Sequence, residues 1–471
     1  MRKTKIICTI GPASESEEIL EKMVRAGMDV ARLNFSHGTH EDMQNKIDRI
    51  KQVREKMNAP IPIMLDTKGP EYRVGTFQNE KIELKEGALF TLTAEQVEGD
   101  ESRVSVSYAN LPKELEPGDR ILVNDGLIEL RVEEIEGPEI RCRVIIGGTL
   151  SNRKSMNFPG RLMQHEFLSD KDKEDLLFGI KNEVDYVAAS FVSTKENVEE
   201  MRKFLDENGG EEISIIAKIE NRSGVNNLDD ILNVVSGVMV ARGDLGVEIP
   251  FIEVPAIQKD MTYRCRIRGK RVVTATEMLE SMITKPRPTR AEASDVANAV
   301  YEGTSLIMLS GETASGAYPV EAVETMAKIA EYTEQKIDYE EWFHNTGYRI
   351  KDSLDSICHA TCAMANDVEA KCIVVNSVSG HTAKMISRFR CPSPIIGATM
   401  DERVWRRLNI SWGVKPVLSE RFNTQEEMFE NGLKAAIREM NLKPGDKVVM
   451  TGGEIGGEPG NTNVIKIETV K

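Results

Sequence analysis

Ile213-Ser214-Ile215-Ile216-Ala217-Lys218-Ile219-Glu220-Asn221 is an apolar run that stops abruptly in charged and polar side chains. Near-continuous hydrophobicity of this kind suits a strand buried on both faces of a parallel sheet. Seven more such runs lie outside the central and final stretches, at residues 6–10, 28–33, 61–65, 186–191, 238–241, 271–274 and 306–309, with helix-like sequence between them. Eight strands with intervening helices is the count for a closed (β/α)8 barrel of the TIM type, an α/β fold.

Between the third and fourth runs the pattern breaks. From Gly69 to about Ser169, short alternating segments at 82–84, 103–106, 120–123 and 140–146 are punctuated by Pro117-Gly118-Asp119, Asn124-Asp125-Gly126 and Gly147-Gly148. That is the turn chemistry of a small all-β unit inserted in the barrel. Ser169-Asp170-Lys171-Asp172-Lys173-Glu174 then reads as the start of a helix, with Ser169 or Asp170 as cap, and puts the insertion at the barrel's top rim. After Tyr318-Pro319 comes a long amphipathic stretch, and from about Ser353 strand-like runs at 372–376, 395–398, 414–418, 447–451 and 464–467 alternate with helices. The expected division is 1–68 with 170–340 for the catalytic barrel, 69–169 for a small β-barrel lid and 341–471 for a C-terminal α/β regulatory domain.

The 471 residues carry a formal charge of -15, so the surface as a whole repels nucleic acid and anionic membranes, while a local basic pocket can still hold a small anion. The N-terminal segment is too short and too punctuated for a signal peptide, and no apolar run reaches membrane-spanning length. Seven cysteines without CxxC spacing read as buried, reduced thiols, which points to the cytoplasm. The sequence ends at Val470-Lys471, from which no further C-terminal domain is expected.

In a barrel of this kind the active site lies at the C-terminal ends of the strands. Reactive groups collect there: Arg32-Leu33-Asn34-Phe35-Ser36-His37, Asp66-Thr67-Lys68, Ser190, Lys218 with Glu220, Arg242-Gly243-Asp244, Thr276-Glu277 and Ser310-Gly311-Glu312. Alternation predicts that Lys218 and Glu220, Arg242 and Asp244, Thr274 and Thr276, and Arg32 and Asn34 face one space. Glu220 and Asp244 suit a hard divalent ion, Mg²⁺ or Mn²⁺. Lys218, with Arg32 and Arg73 near the same mouth, puts cations where a phosphoryl group develops charge, so phosphoryl transfer or enolate chemistry is the class implied. Asn34, Ser36, Asp66 and Thr67 combine one charge with three neutral oxygens, which suits a weakly held monovalent cation and equally suits loop capping. His40, His165, His344 and His359 form no recognisable ligand set, and the charged stretches at 15–22 and 195–206 read as solvated helix faces.

Lys3-Thr4-Lys5-Ile6-Ile7-Cys8-Thr9-Ile10-Gly11-Pro12, Arg32 to Gly38, Asp66-Thr67-Lys68-Gly69-Pro70-Glu71, Met239 to Glu248, Pro286-Arg287-Pro288-Thr289-Arg290-Ala291-Glu292 and Met308 to Ala314 resemble the signatures of the pyruvate kinase family, in order along the whole chain. The resemblance implies a phosphotransferase that moves the phosphoryl group of phosphoenolpyruvate to ADP. It implies that Lys218 stabilises the transferring group, that Arg32 contacts the substrate phosphate, and that Gly243, Asp244 and Thr276 bind the carboxylate end. Ser190 joins the catalytic set. It further implies Mg²⁺ on Glu220 and Asp244, and K⁺ on Asn34, Ser36, Asp66 and Thr67. Asn34, His37, Arg73 and Lys154 are placed with the nucleotide, Lys154 coming from a lid that closes over the site. Glu71 is the acidic choice that accompanies K⁺ dependence, and a homotetramer is expected.

The sequence departs from the family at Glu277, Tyr72, Ser236 and Glu302, none of which is a metal or phosphoryl ligand in the resemblance. Glu277 adds charge beside Thr276, with a solvated carboxylate as the plainer reading. In the C-terminal domain Ser377, Ser379, Gly380, His381 and Thr382 follow a strand and precede a helix, where a phosphorylated sugar or nucleotide effector could sit, with ordinary helix capping as the rival use. Two other functions share parts of the pattern: a catalytically weak metabolite-sensing paralogue, and a Mg²⁺-dependent lyase or aldolase acting on the enolate of pyruvate.

Overall fold

Alternate residues of the barrel strands meet two different apolar surroundings, which is why these segments carry almost no polar positions. Ile7, Val30, Met64, Ile216, Met239 and Val273 fill the barrel interior, while neighbours such as Ile6, Ala31, Leu65, Ala217 and Val272 pack outward against the helices. The computed structural model describes residues 1–161, 163, 166–345, 347–453 and 462–471, so His165 lies outside the described residues. In it Lys5–Thr9, Val30–Asn34, Ile63–Asp66, Tyr186–Ala189, Ser214–Ile219, Gly237–Ala241, Arg271–Ala275 and Leu306–Leu309 form one closed parallel barrel. The first strand pairs with both the second and the last.

Between the third and fourth barrel strands lies a seven-stranded sheet, in the order Tyr72–Arg73, Ser155–Asn157, Arg120–Val123, Ile128–Glu136, Glu139–Ile146, Leu89–Thr93, Arg103–Ser105. Pairing of Val74 with Val106 joins its two end strands, so the sheet closes on its own core of Phe90, Leu92, Ile121 and Leu130. The sequence reading lacks the strands Tyr72–Arg73, Leu89–Thr93, Ile128–Glu136, Gly148–Ser151 and Ser155–Asn157. Ile128–Glu136 ends in Glu133-Glu134-Ile135-Glu136, and its exposed carboxylates mask the strand period. Ser169 caps the returning helix Asp170–Lys181 in a reciprocal pair with Asp172, its hydroxyl accepting from the Asp172 amide at 3.1 Å.

The C-terminal sheet runs Val414–Leu418, Ile395–Thr399, Cys372–Asn376, Lys447–Gly453, Thr462–Thr469, parallel except for the last strand. This domain plugs the bottom of the barrel: Ile410 joins the interior apolar cluster, and the Tyr186 hydroxyl donates to the Arg407 carbonyl at 2.8 Å. Arg406 Nε donates to Asp185 Oδ1 at 2.9 Å, and Asp185 Oδ2 accepts from the Ile63 amide at 2.9 Å. All seven cysteines are buried and unpaired. Among the described residues no helix is long and apolar enough to cross a membrane.

Removing one partner of a buried ion pair leaves a desolvated charge behind. Arg406→Ala is therefore expected to destabilise the barrel by about 3–5 kcal/mol, read as a lower denaturant midpoint for its unfolding. An unchanged midpoint would show that this pair does not tie the two domains together.

Candidate active site

The fifth barrel strand carries Lys218, and Glu220 follows just beyond its end. The period of two aims both at the same space, as expected. Lys218 Nζ lies 3.0 Å from Glu220 Oε1 and 3.1 Å from Asp66 Oδ1, and donates to Ser190 Oγ at 2.7 Å. Arg32 Nε donates to Asp66 Oδ2 at 2.7 Å, and its NH1 to Thr9 Oγ1 at 2.7 Å. Burial works against every charge in this group, so the partners decide each titration. Burial opposes the Lys218 ammonium, yet Asp66 and Glu220 hold its pKa above the ordinary lysine value. Burial likewise opposes the Asp66 carboxylate, but Arg32 and Lys218 keep it below the usual range. Glu220 is pushed up to about 7 by burial, Asp244 adding to the rise and Lys218 opposing it.

Glu220 Oε2 accepts from the Phe191 amide at 2.5 Å, whereas Oε1, though in ion contact with Lys218, accepts no aligned hydrogen bond. A buried carboxylate oxygen left open beside a second carboxylate, Asp244, fits a hard divalent ion. Among the described residues no group of three or more His, Cys, Asp or Glu could hold a metal. Two protein oxygens are the offer, which matches a shell completed by substrate and water.

Two of the expected pairings do not form. The chain leaves the sixth strand at Ala241 and enters the helix Arg242–Glu248, so strand alternation no longer relates Arg242 to Asp244. Arg242 turns away to pair with Asp295 at 2.7 Å and to donate to the carbonyls of Thr276 at 2.6 Å and Glu277 at 3.0 Å. Nor do Thr274 and Thr276 share a face. Thr274 is buried and donates to Thr304 at 3.0 Å, while Thr276 has φ +65° beyond the strand end. That backbone lets Thr276 Oγ1 accept from the Gly243 amide at 2.9 Å, which brings Thr276 and Gly243 together. Glu277 is exposed. Asp295 and Thr9 act on the site through other side chains; Asp295 carries no signal in its own neighbourhood, whereas Thr9 stands at the end of the first strand.

Asn34 and Asp66 are register partners on the second and third strands. Asn34 Oδ1 accepts from the Ser36 amide at 3.1 Å, and Thr67 Oγ1 accepts from the Ser190 amide at 3.1 Å. Each accepting oxygen keeps a further lone pair, so loop capping and a weak cation site are compatible here. Above the barrel a cavity of about 300 Å³ opens between the inserted sheet and the barrel, bounded by Tyr72, Arg73, Lys154, Phe191 and Asp244. Arg73 is held by Glu71 through two bonds of 2.9 and 3.0 Å. His37 is exposed at the rim. In the C-terminal domain Ser377 Oγ accepts from the Gly380 amide at 2.9 Å, Ser379 Oγ from the His381 amide at 3.4 Å, and Thr382 meets Thr462 at 2.6 Å.

Residues 1–323 match the family described as pyruvate kinase, barrel domain, and residues 355–468 match pyruvate kinase, alpha/beta domain. A pyruvate kinase of Clostridium acetobutylicum is 46% identical, with 100% of both chains covered. Another, of Sporosarcina psychrophila, is 46% identical over 100% of this chain and 81% of its own length. The crystal structure of a pyruvate kinase from Cryptosporidium parvum aligns with a TM-score of 0.94 at 39% identity, covering 99% of this chain and 96% of that one.

Glu220 supplies a test of the metal-ligand assignment that needs no turnover. Its folded pKa of about 7 lies above the ordinary carboxylate value, so its contribution to stability is present at low pH and is lost as pH rises through 7. With a chelator present, Glu220→Gln should gain stability relative to the parent between pH 5 and 8, by on the order of 2–3 kcal/mol. Mg²⁺ should abolish the gain by stabilising the parent alone; a difference independent of both pH and Mg²⁺ would overturn the assignment.

Proposed function

The chain belongs to the pyruvate kinase family, and we propose that Lys218, clamped as an ammonium between Asp66, Ser190 and Glu220, is the group that stabilises the transferring phosphoryl in that family's reaction. The enzyme is a phosphotransferase that moves the phosphoryl group of phosphoenolpyruvate to ADP, giving pyruvate and ATP. Lys218 held charged at a fixed point is the observation that carries the assignment, because phosphoryl transfer is catalysed mainly by position and electrostatics.

An ADP β-phosphate oxygen attacks phosphorus in line, the bond from phosphorus to the enol oxygen breaks, and the enolate of pyruvate leaves with the electron pair. Arg32 and Lys218 face the phosphate, and both are already fixed by Asp66, so neither has to reorganise during transfer. Gly243 and Thr276, joined by their own hydrogen bond, hold the carboxylate end. Thr276, through water, helps deliver the proton that the enolate carbon takes up. Glu220 and Asp244 would hold Mg²⁺ or Mn²⁺, which when bound supplies positive charge to the phosphoryl oxygens. Asn34, Ser36, Asp66 and Thr67 would hold K⁺, with Glu71 as the nearby acidic residue. Arg73, His37, Asn34 and Lys154 take the nucleotide phosphates, Lys154 moving with the lid.

We assign residues 1–68 and 170–340 to the catalytic barrel, 69–169 to the lid and 341–471 to the regulatory domain. The enzyme is cytoplasmic and homotetrameric in this reading. A phosphorylated sugar or nucleotide binds at Ser377, Ser379, Gly380, His381 and Thr382, supported by the short hydroxyl-rich turn between strand and helix.

Pyruvate formation from phosphoenolpyruvate and ADP tests the roles. Lys218→Ala is expected to lower kcat by about 10²-fold or more while leaving the fold intact. Near-parental kcat in that variant would remove Lys218 from the mechanism. In buffer free of both K⁺ and Na⁺ the rate should fall and be restored by K⁺; equal rates with and without K⁺ would eliminate the monovalent site.

A further inference from the structure

At the floor of the barrel, opposite the active site, cations gather without counter-charge. The helix His381–Ser387 packs on the turn before the seventh barrel strand, with Met385 and Arg388 closing on Gly269 so tightly that a Cβ there would sit 2.9 Å from the Met385 sulfur. Lys270 and Arg271 follow that glycine, and Lys384 stands four residues before Arg388, on the same helix face. Lys270 donates to the Val235 carbonyl at 2.7 Å. Arg271, only 9% exposed, donates to Ser411 Oγ at 3.1 Å and lies 6.0 Å from the Tyr186 ring centre, and its Nε has no partner. Among the described residues, no ion pair forms with Lys270, Arg271 or Lys384. Their neighbour Arg388 shows the contrast, since it pairs with Asp355 at 2.8 Å.

Buried cations normally come with carboxylates, because a desolvated charge without one costs several kcal/mol. Lys384 has only like charges close by, and burial, reinforced by Arg271 and Lys270, pulls its pKa down to about 7. Asp352 acts on His381 at the edge of the group. An arginine with an open Nε and a partly accessible lysine form a fork and a point charge, the two shapes that recognise a tetrahedral dianion.

We infer that Arg271, Lys384 and Lys270 form an anion site between barrel and C-terminal domain that takes the phosphate of a small phosphate monoester. It adjoins the turn at residues 377–382 through His381 but does not use that turn's hydroxyls, Thr382 being engaged by Thr462. It also lies at the start of Arg271–Ala275, the strand that Thr276 directly follows.

Selenate, a dianion with a strong anomalous signal, is the probe. Crystals of the full chain soaked in selenate should show a peak between Lys384 and Arg271, with a peak near Arg32 and Lys218 reporting that the soak succeeded. A peak at the active site with none at Lys384 overturns the inference. In solution, thermal-shift titration with sulfate should show a saturable phase that Lys384→Gln, at a partly exposed position, weakens about tenfold or more. Thr382→Val should leave that phase unchanged. Identical sulfate titrations for parent and Lys384→Gln would sink the proposal, as would loss of the same phase in Thr382→Val.

Discussion

The buried quartet of Arg32, Asp66, Lys218 and Glu220 is the constraint on which the active end of the barrel depends. Two cations and two anions come from the second, third and fifth strands, and none is more than slightly exposed. Ion pairs this deep contribute little net stability, because desolvation offsets attraction. Their value here is geometric. Asp66 reaches Arg32 with one oxygen and Lys218 with the other, so two cations are spaced by a single carboxylate. The second to fifth strands are consecutive neighbours in the sheet, so their pairing fixes these strand ends relative to one another.

Around this quartet the backbone is strained where strands end. Phe191, Thr276 and Glu277 have φ of +57°, +65° and +52°, a region that non-glycine residues seldom occupy. Each is restrained by a side chain from elsewhere. Glu220 accepts from the Phe191 amide, and Arg242, fixed by Asp295, donates to the carbonyls of Thr276 and Glu277. Arg242 is thus a positioning residue, although its place beside Gly243 and Asp244 suggests a direct one.

That misreading shows where sequence reasoning stops. All eight barrel strands and all five C-terminal strands were legible, since burial on two faces writes itself as an unbroken apolar run. Lys218 and Glu220 followed from the strand period, and Asp66 from its place at a strand end. Arg242 and Thr276 did not, because the chain leaves strand geometry at Ala241 and Ala275 and a period of two no longer applies. Asp295 is remote in sequence, and nothing in its own helix marks it as a partner. The lid strands were harder still. Their solvent faces carry glutamates and arginines paired across the sheet, such as Arg143 with Glu133, and one buried face in a small barrel gives only a weak alternating signal.

The inserted sheet and the end of the site that bears Asp244 are joined by one short element. Asn157, on a lid strand, donates to Glu248 at 3.0 Å, and Glu248 ends the helix that begins with Arg242, Gly243 and Asp244. Burial raises the Glu248 carboxyl above its usual value, against the hydrogen bonds from Asn157 and Phe158. Breaking these bonds would leave the buried Glu248 carboxyl without its donors at the end of the helix bearing Asp244. About two turns of helix thus separate the contact with Asn157 of the inserted sheet from Asp244 at the base of the cavity.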